Sequence, residues 1–103
     1  MWQRALSVGG GSTINPTVFQ TAQIAGGSSV SYPYDTTKTY IIATHLLYGD
    51  STMRQNVWSV QNGVATELVQ GGSNASVSCA GTTMTITNLN NSFGTDCVVV
   101  QID

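Results

Sequence analysis

The residues able to do acid, base or nucleophilic chemistry are few and scattered. The carboxylates are Asp35, Asp50, Glu67, Asp96 and Asp103, the one histidine is His45, and the thiols are Cys79 and Cys97. A glycosidase needs two carboxyls roughly 5 to 10 Å apart across a sugar cleft. Asp35 and Asp50 would have to meet through loops, and no motif around either brings them together. A thiol, imidazole and carboxylate set can be written from Cys79 or Cys97 with His45 and Asp96, yet no signature of a nucleophile system surrounds them. Turn chemistry accounts for the aspartates, and a place in the core or at an interface accounts for His45. In a threefold assembly three copies of His45 would meet and could hold a metal or an anion, but one histidine per chain makes no ligand set. The chain reads as a non-enzyme without metal or cofactor.

The aromatics suggest a neutral ligand instead. Tyr32-Pro33-Tyr34 runs into Asp35-Thr36-Thr37, and Trp58 and Phe93 read as near the surface. Aromatic faces flanked by Asn, Asp and Thr hold sugars by stacking and uncharged hydrogen bonds, which makes Tyr32, Tyr34, Asp35 and Trp58 the candidate ligand-binding residues. The competing role for these rings is to anchor a core or an interface.

Composition narrows the setting. A chain of 103 residues holds one domain. Only 8% of residues are charged, against roughly a quarter in an ordinary soluble domain. With three basic residues, Arg4, Lys38 and Arg54, and a net charge of -2, the chain lacks the footprint for a nucleic-acid backbone or an anionic membrane. Its apolar runs fall far short of the roughly 20 residues of a membrane-spanning helix. Met1 to Val8 runs into Gly9-Gly10-Gly11 before an apolar leader core forms, so no secretory signal is expected. Asn74-Ala75-Ser76 and Asn90-Asn91-Ser92 then read as turn asparagines rather than glycosylation acceptors. The two cysteines are expected reduced, because strand alternation sets them on opposing faces and a disulfide needs converging Cβ vectors.

Thr, Ser, Val and Gly in place of Ala, Leu, Glu and Lys favour strands and turns over helices. Residues 1–16 read as an extended glycine-rich arm ending at Asn15-Pro16, a segment that needs another subunit to hold it. Residues 17–103 read as an antiparallel, jelly-roll-like β-sandwich with strands near 17–24, 29–33, 38–48, 54–61, 64–70, 75–79, 82–88 and 96–102. Asn62-Gly63 is a type I′ hairpin signal. Counting outward pairs Gln61 with Val64, Ser59 with Thr66 and Val57 with Leu68, and on the other face Val60 with Ala65 and Trp58 with Glu67. A second hairpin centred on Ala80-Gly81 pairs Cys79 with Thr82, Val77 with Met84 and Ala75 with Ile86, leaving Ser76, Ser78, Thr83, Thr85 and Thr87 on the outer face. The last strand is apolar on both faces and reads as central.

Three features together, the opening MWQRALSVGGG (1–11), the strand KTYIIATHLLYGD (38–50) and the ending GTTMTITN (81–88) with CVVVQID (97–103), resemble small structural proteins and fibre-tip modules of tailed bacteriophages and their prophage relatives. The resemblance implies a non-enzymatic virion component, a tail-fibre, tail-tip or baseplate accessory protein, made in the bacterial cytoplasm. It implies a homo-oligomer, commonly a trimer, docked to other virion proteins by its arm, where Trp2, Arg4, Leu6 and Val8 would make the attachment. The loops at the far end would contact a host-surface glycan. A capsid decoration or head-fibre protein and a free carbohydrate-binding module are the alternatives.

Overall fold

The structure, a computed structural model, describes residues 16–47, 55–72 and 74–102. Eight strands occupy most of them: β1 (Thr17–Ile24), β2 (Ser29–Pro33), β3 (Thr39–Leu46), β4 (Gln55–Gln61), β5 (Val64–Gln70), β6 (Ala75–Ala80), β7 (Thr83–Asn88) and β8 (Thr95–Gln101). They form a five-stranded sheet in the order β1-β8-β3-β4-β5 and a three-stranded sheet in the order β2-β7-β6, with every pair antiparallel. The expected β-sandwich is the fold. Its strands divide five and three, where a jelly roll made of two four-stranded sheets would divide them evenly.

Alternation along each strand builds the core. Tyr40, Ile42, Trp58, Val60, Cys97 and Val99 point inward from the larger sheet and meet Met84, Ile86 and Ala75 of the smaller one. β8 lies between β1 and β3 and is hydrogen-bonded along both edges. Its Cys97 and Val99 face the core while Val98 and Val100 face outward half-buried, which is why its sequence is apolar throughout.

The Asn62-Gly63 hairpin forms as expected, with φ of 54° and 77° at its two central residues. Its register runs Gln61↔Val64, Val60↔Ala65, Ser59↔Thr66 and Trp58↔Glu67. A bulge then takes up Leu68, so Val57 pairs with Val69 instead of Leu68. The second hairpin turns on Gly81-Thr82, pairing Ala80 with Thr83, Cys79 with Met84 and Val77 with Ile86. A II′ turn needs positive φ at its first central residue; Gly81 supplies it at 62°, whereas a turn centred on Ala80-Gly81 would force a Cβ-bearing residue there. The turn moves by one residue and the pairing by two, one full period of a strand, so each side chain keeps its expected face.

The chain changes sheets four times, at β1–β2, β2–β3, β5–β6 and β7–β8, and the first and last of these crossovers pack together at one end. The Gly27 N–H donates to the Asn90 carbonyl at 2.9 Å. A Cβ on Gly26 would lie 2.8 Å from the Asn91 carbonyl oxygen, closer than such contacts allow. Asn88, fully buried at the end of β7, ties the pair together. Its amide donates to the carbonyls of Ile24 (3.0 Å) and Phe93 (2.8 Å), and its oxygen accepts from the Asn90 N–H (2.9 Å).

Candidate functional site: the outer face of the five-stranded sheet

The proposed aromatic platform is spent on the core. Trp58 is 4% and Tyr34 6% exposed, so neither presents a ring face to a ligand. Tyr34 meets Tyr40 edge to face with centroids 5.7 Å apart, and Phe19 packs on Tyr40 in a tilted arrangement at 5.1 Å. Tyr32 is half-buried against the same cluster. Burial pushes both the Tyr32 and Tyr34 phenols above their ordinary pKa. The inward direction of Trp58 follows from its alternation with Val57 and Ser59, and its pairing with Glu67 disguised it, because a charged partner reads as a surface position. Glu67 keeps its carboxylate at the rim of the sheet, accepting from the amides of Asn56 (2.9 Å) and Gln70 (3.1 Å).

Asp35 is exposed and works as a turn residue. It accepts from the Thr37 hydroxyl at 2.7 Å and the Thr37 N–H at 2.9 Å. Those bonds, with a contribution from Lys38, hold its carboxyl below the usual carboxylate range. Asp50 and the attachment residues Trp2, Arg4, Leu6 and Val8 lie outside the described residues. Asn74 and Asn90 serve turns: the Asn74 amide donates to the Gly71 carbonyl, and Asn90 accepts from the N–H groups of Ser92 and Phe93.

The register brings His45 and Asp96 together as cross-strand partners on β3 and β8. Cys97, one residue on, points through the sheet into the core, and burial pushes its thiol up to about 11. A thiol that is neutral at physiological pH, on the far side of the sheet from the imidazole, cannot be activated by it. Cys79 also points into the sandwich and is half-buried, and both thiols are free. The two cysteines therefore face the same interior from different sheets, not opposing faces as expected.

His45 and Asp96 belong to a polar row crossing four strands, Gln23–Asp96–His45–Gln55, on the outer face of the larger sheet. The Gln23 amide donates to Asp96 at 3.3 Å. A shallow hollow of about 200 Å³ opens beside it, floored by Ala43 and Val98. The next row is Thr21–Val98–Ala43–Val57–Val69, and the one after it Val18–Val100–Ile41–Ser59–Thr66. The middle of this face is thus a band of Val98, Val100, Ile41, Ala43 and Val57. It is flanked by Val18 on one edge strand and Val69 on the other, which are 61% and 51% exposed.

The outer face of the smaller sheet is built on the opposite plan. Its rows are Ser29–Thr87–Ser76, Ser31–Thr85–Ser78 and Pro33–Thr83–Ala80. Hydroxyls bond across the strands at 2.8 Å for Ser29 with Thr87 and 2.9 Å for Ser31 with Thr85. One face of the sandwich is dressed for water and the other for apolar contact. No protein-family model matches the chain, nor does any curated protein or solved structure.

Proposed function

We propose that this chain is a non-enzymatic structural subunit that works by being packed against its neighbours in a homo-oligomeric assembly, and that the assembly is a bacteriophage virion. The observation that carries the reading is the aliphatic band of Ile41, Ala43, Val57, Val98 and Val100 on the outward side of the five-stranded sheet. A side of a sheet that faces water permanently alternates to polar residues, as the smaller sheet does. A side that stays apolar is suited to a protein surface. The virion part of the proposal rests on the sequence resemblance, with a tail-fibre, tail-tip or baseplate position ahead of capsid decoration. The arm is assigned the attachment to other virion proteins. Host-glycan contact through Tyr34 and Trp58 is not carried forward, because both rings are committed to the core.

Particles banded on a density gradient from a lysate of the source bacterium test this reading. The chain is expected among the particle proteins by mass spectrometry, in fixed ratio to the other components. Recovery of the chain only from the soluble fraction at the top of the gradient overturns it.

A further inference from the structure

We infer that the outer face of the five-stranded sheet is where two copies of the chain meet, packed face to face about a twofold axis that runs parallel to the strands between β8 and β3. This deepens the assembly reading above and rests on it, since it names the neighbour that the aliphatic band meets and the way the two fit.

The face reads in four rows. The first is Gln23–Asp96–His45–Gln55, the second Thr21–Val98–Ala43–Val57 and the third Val18–Val100–Ile41–Ser59. The fourth is Ile102–Thr39–Gln61, where the Ile102 N–H donates to the Thr39 carbonyl at 3.0 Å. β8 and the residue just past it thus present a ridge of Val98, Val100 and Ile102, beside the smaller Ala43 and Thr39 of β3. All five are half-buried.

Asp96 and His45 are the only titratable side chains on the described face, and they select the axis. A twofold axis across the strands would lay Asp96 against the Ile102 end of the other copy, stripping water from a carboxylate without giving it a partner, which is strongly unfavourable. An axis along the strands keeps each row over itself and exchanges β8 with β3. Each Asp96 carboxylate then faces the other copy's His45, whose ring offers an N–H. Gln23 faces Gln55, Val98 lies over Ala43, Ile102 lies over Thr39, and the exposed Val18 is covered by Ser59. Large side chains meet small ones, and acceptors meet donors. β1 lies over the other copy's β4, and β5 is left outside the contact. Four strands ~4.8 Å apart and four rows ~6.8 Å apart make a face roughly 20 Å square. Two such faces remove on the order of 1,000 Å² from water, the size at which specific interfaces begin. Sheets stacked in this way keep their strands within about 30° of each other. The contact is isologous and closes on itself, so it makes a dimer and not a fibre. It also leaves both hydroxyl-covered faces of the smaller sheets on the outside.

Sedimentation equilibrium of the full chain at tens of micromolar, with far-ultraviolet circular dichroism of every variant, tests the contact. The native chain is expected at twice the monomer mass. His45→Asp gathers four carboxylates in the contact, and Asp96→Lys with His45→Lys gathers four lysines. Both positions are exposed, so each variant should fold and run as a monomer. Mixed in equal amounts, the two variants should recover the dimer, because every lysine then faces a carboxylate. Ala43→Arg, in the middle of the face, should give a folded monomer, whereas Val69→Lys, on β5, should leave the dimer intact. A native chain that is monomeric or trimeric overturns the proposal. So does a charge variant or an Ala43→Arg variant that stays dimeric, an equal mixture that stays monomeric, or loss of the dimer in Val69→Lys. A monomeric native chain that is nevertheless found in banded particles overturns the face-to-face contact alone and leaves the virion reading standing.

Discussion

Replacing Asn88 by Ala should be among the most damaging single substitutions in the molecule, though it removes only three heavy atoms. Asn88 is fully buried and makes three hydrogen bonds that join the β1–β2 crossover to the β7–β8 crossover. The Ile24 carbonyl accepts from it in a buried position; losing that donor costs about 1–3 kcal/mol, the penalty for an unsatisfied interior polar group. The Phe93 carbonyl and the Asn90 N–H lie nearer the surface, where water can replace the amide, and add about 1 kcal/mol each. The sum is about 3–5 kcal/mol, a large part of the roughly 5–15 kcal/mol that holds a domain folded. At about 4 °C per kcal/mol for a domain of this size, melting should fall by about 12–20 °C. Thermal and urea denaturation of the purified chain, followed by circular dichroism, reads this directly. Asn88→Asp sharpens the test. It keeps the acceptor for Asn90 but sets a carboxylate against the Ile24 and Phe93 carbonyls, so at neutral pH it should be less stable than the alanine variant. Its folded-state pKa would be raised above the unfolded value of about 3.9, so stability should return as pH falls from the folded value and be fully regained below about 4. An alanine variant that melts within about 4 °C of the native chain, or an aspartate variant that is the more stable at pH 7, refutes the clasp.

Three further outcomes follow from other parts of the fold. Gly71→Ala would drive a Cβ into the Gln55 carbonyl oxygen, and backbone must move to admit it; a loss of about 1–3 kcal/mol in urea unfolding is expected. Trp58→Ala should cost about 3–5 kcal/mol and act through the core, so the more conservative Trp58→Phe should leave any association with particles unchanged, whereas a selective loss of binding in a fully stable Trp58→Phe variant would return the ring to a ligand site. Burial raises the Cys97 thiol from 9.0 to about 11. Because the folded value lies above the unfolded one, the stabilisation is complete below about pH 9 and is lost as pH rises through 11. Melting temperature should drop across that window, and Cys97→Val should flatten the drop.

Much of the fold was legible because strands and turns announce themselves locally. Alternation placed all eight strands, and the Asn62-Gly63 dipeptide fixed a register that held for four successive pairs. It failed at Leu68, since nothing in the residues of β4 and β5 signals that one of them will be bulged out of the ladder. The Gly81 hairpin shows the opposite case, where the turn lies one residue and the pairing register two residues from the expected one, yet every side chain keeps its face, because strand periodicity is two. The division into five and three strands was not legible, as it depends on pairings such as β1 with β8 that join opposite ends of the sequence. For the same reason the inward face of Cys97 and Val99 could not be told from the outward face of Val98 and Val100, and the aromatics were assigned to a surface that the second sheet covers.

The scarcity of charge then takes on a local meaning. Two outer faces must be presented by this sandwich, and among the described residues neither uses ion pairs to do it. On the smaller sheet, hydroxyls of Ser29, Ser31, Thr85 and Thr87 satisfy one another and water. On the larger sheet Asp96 and His45 are the only titratable side chains on the described outer face, and both sit in the row at one end, leaving the centre to Val98, Val100, Ile41, Ala43 and Val57. Charges scattered over that centre would cost little in a free monomer, where they would be solvated. They would cost several kcal/mol each if a neighbour removed the water without supplying a partner. A sequence that keeps charge off one face while spending hydroxyls freely on the other is therefore fitted to being covered on one side only.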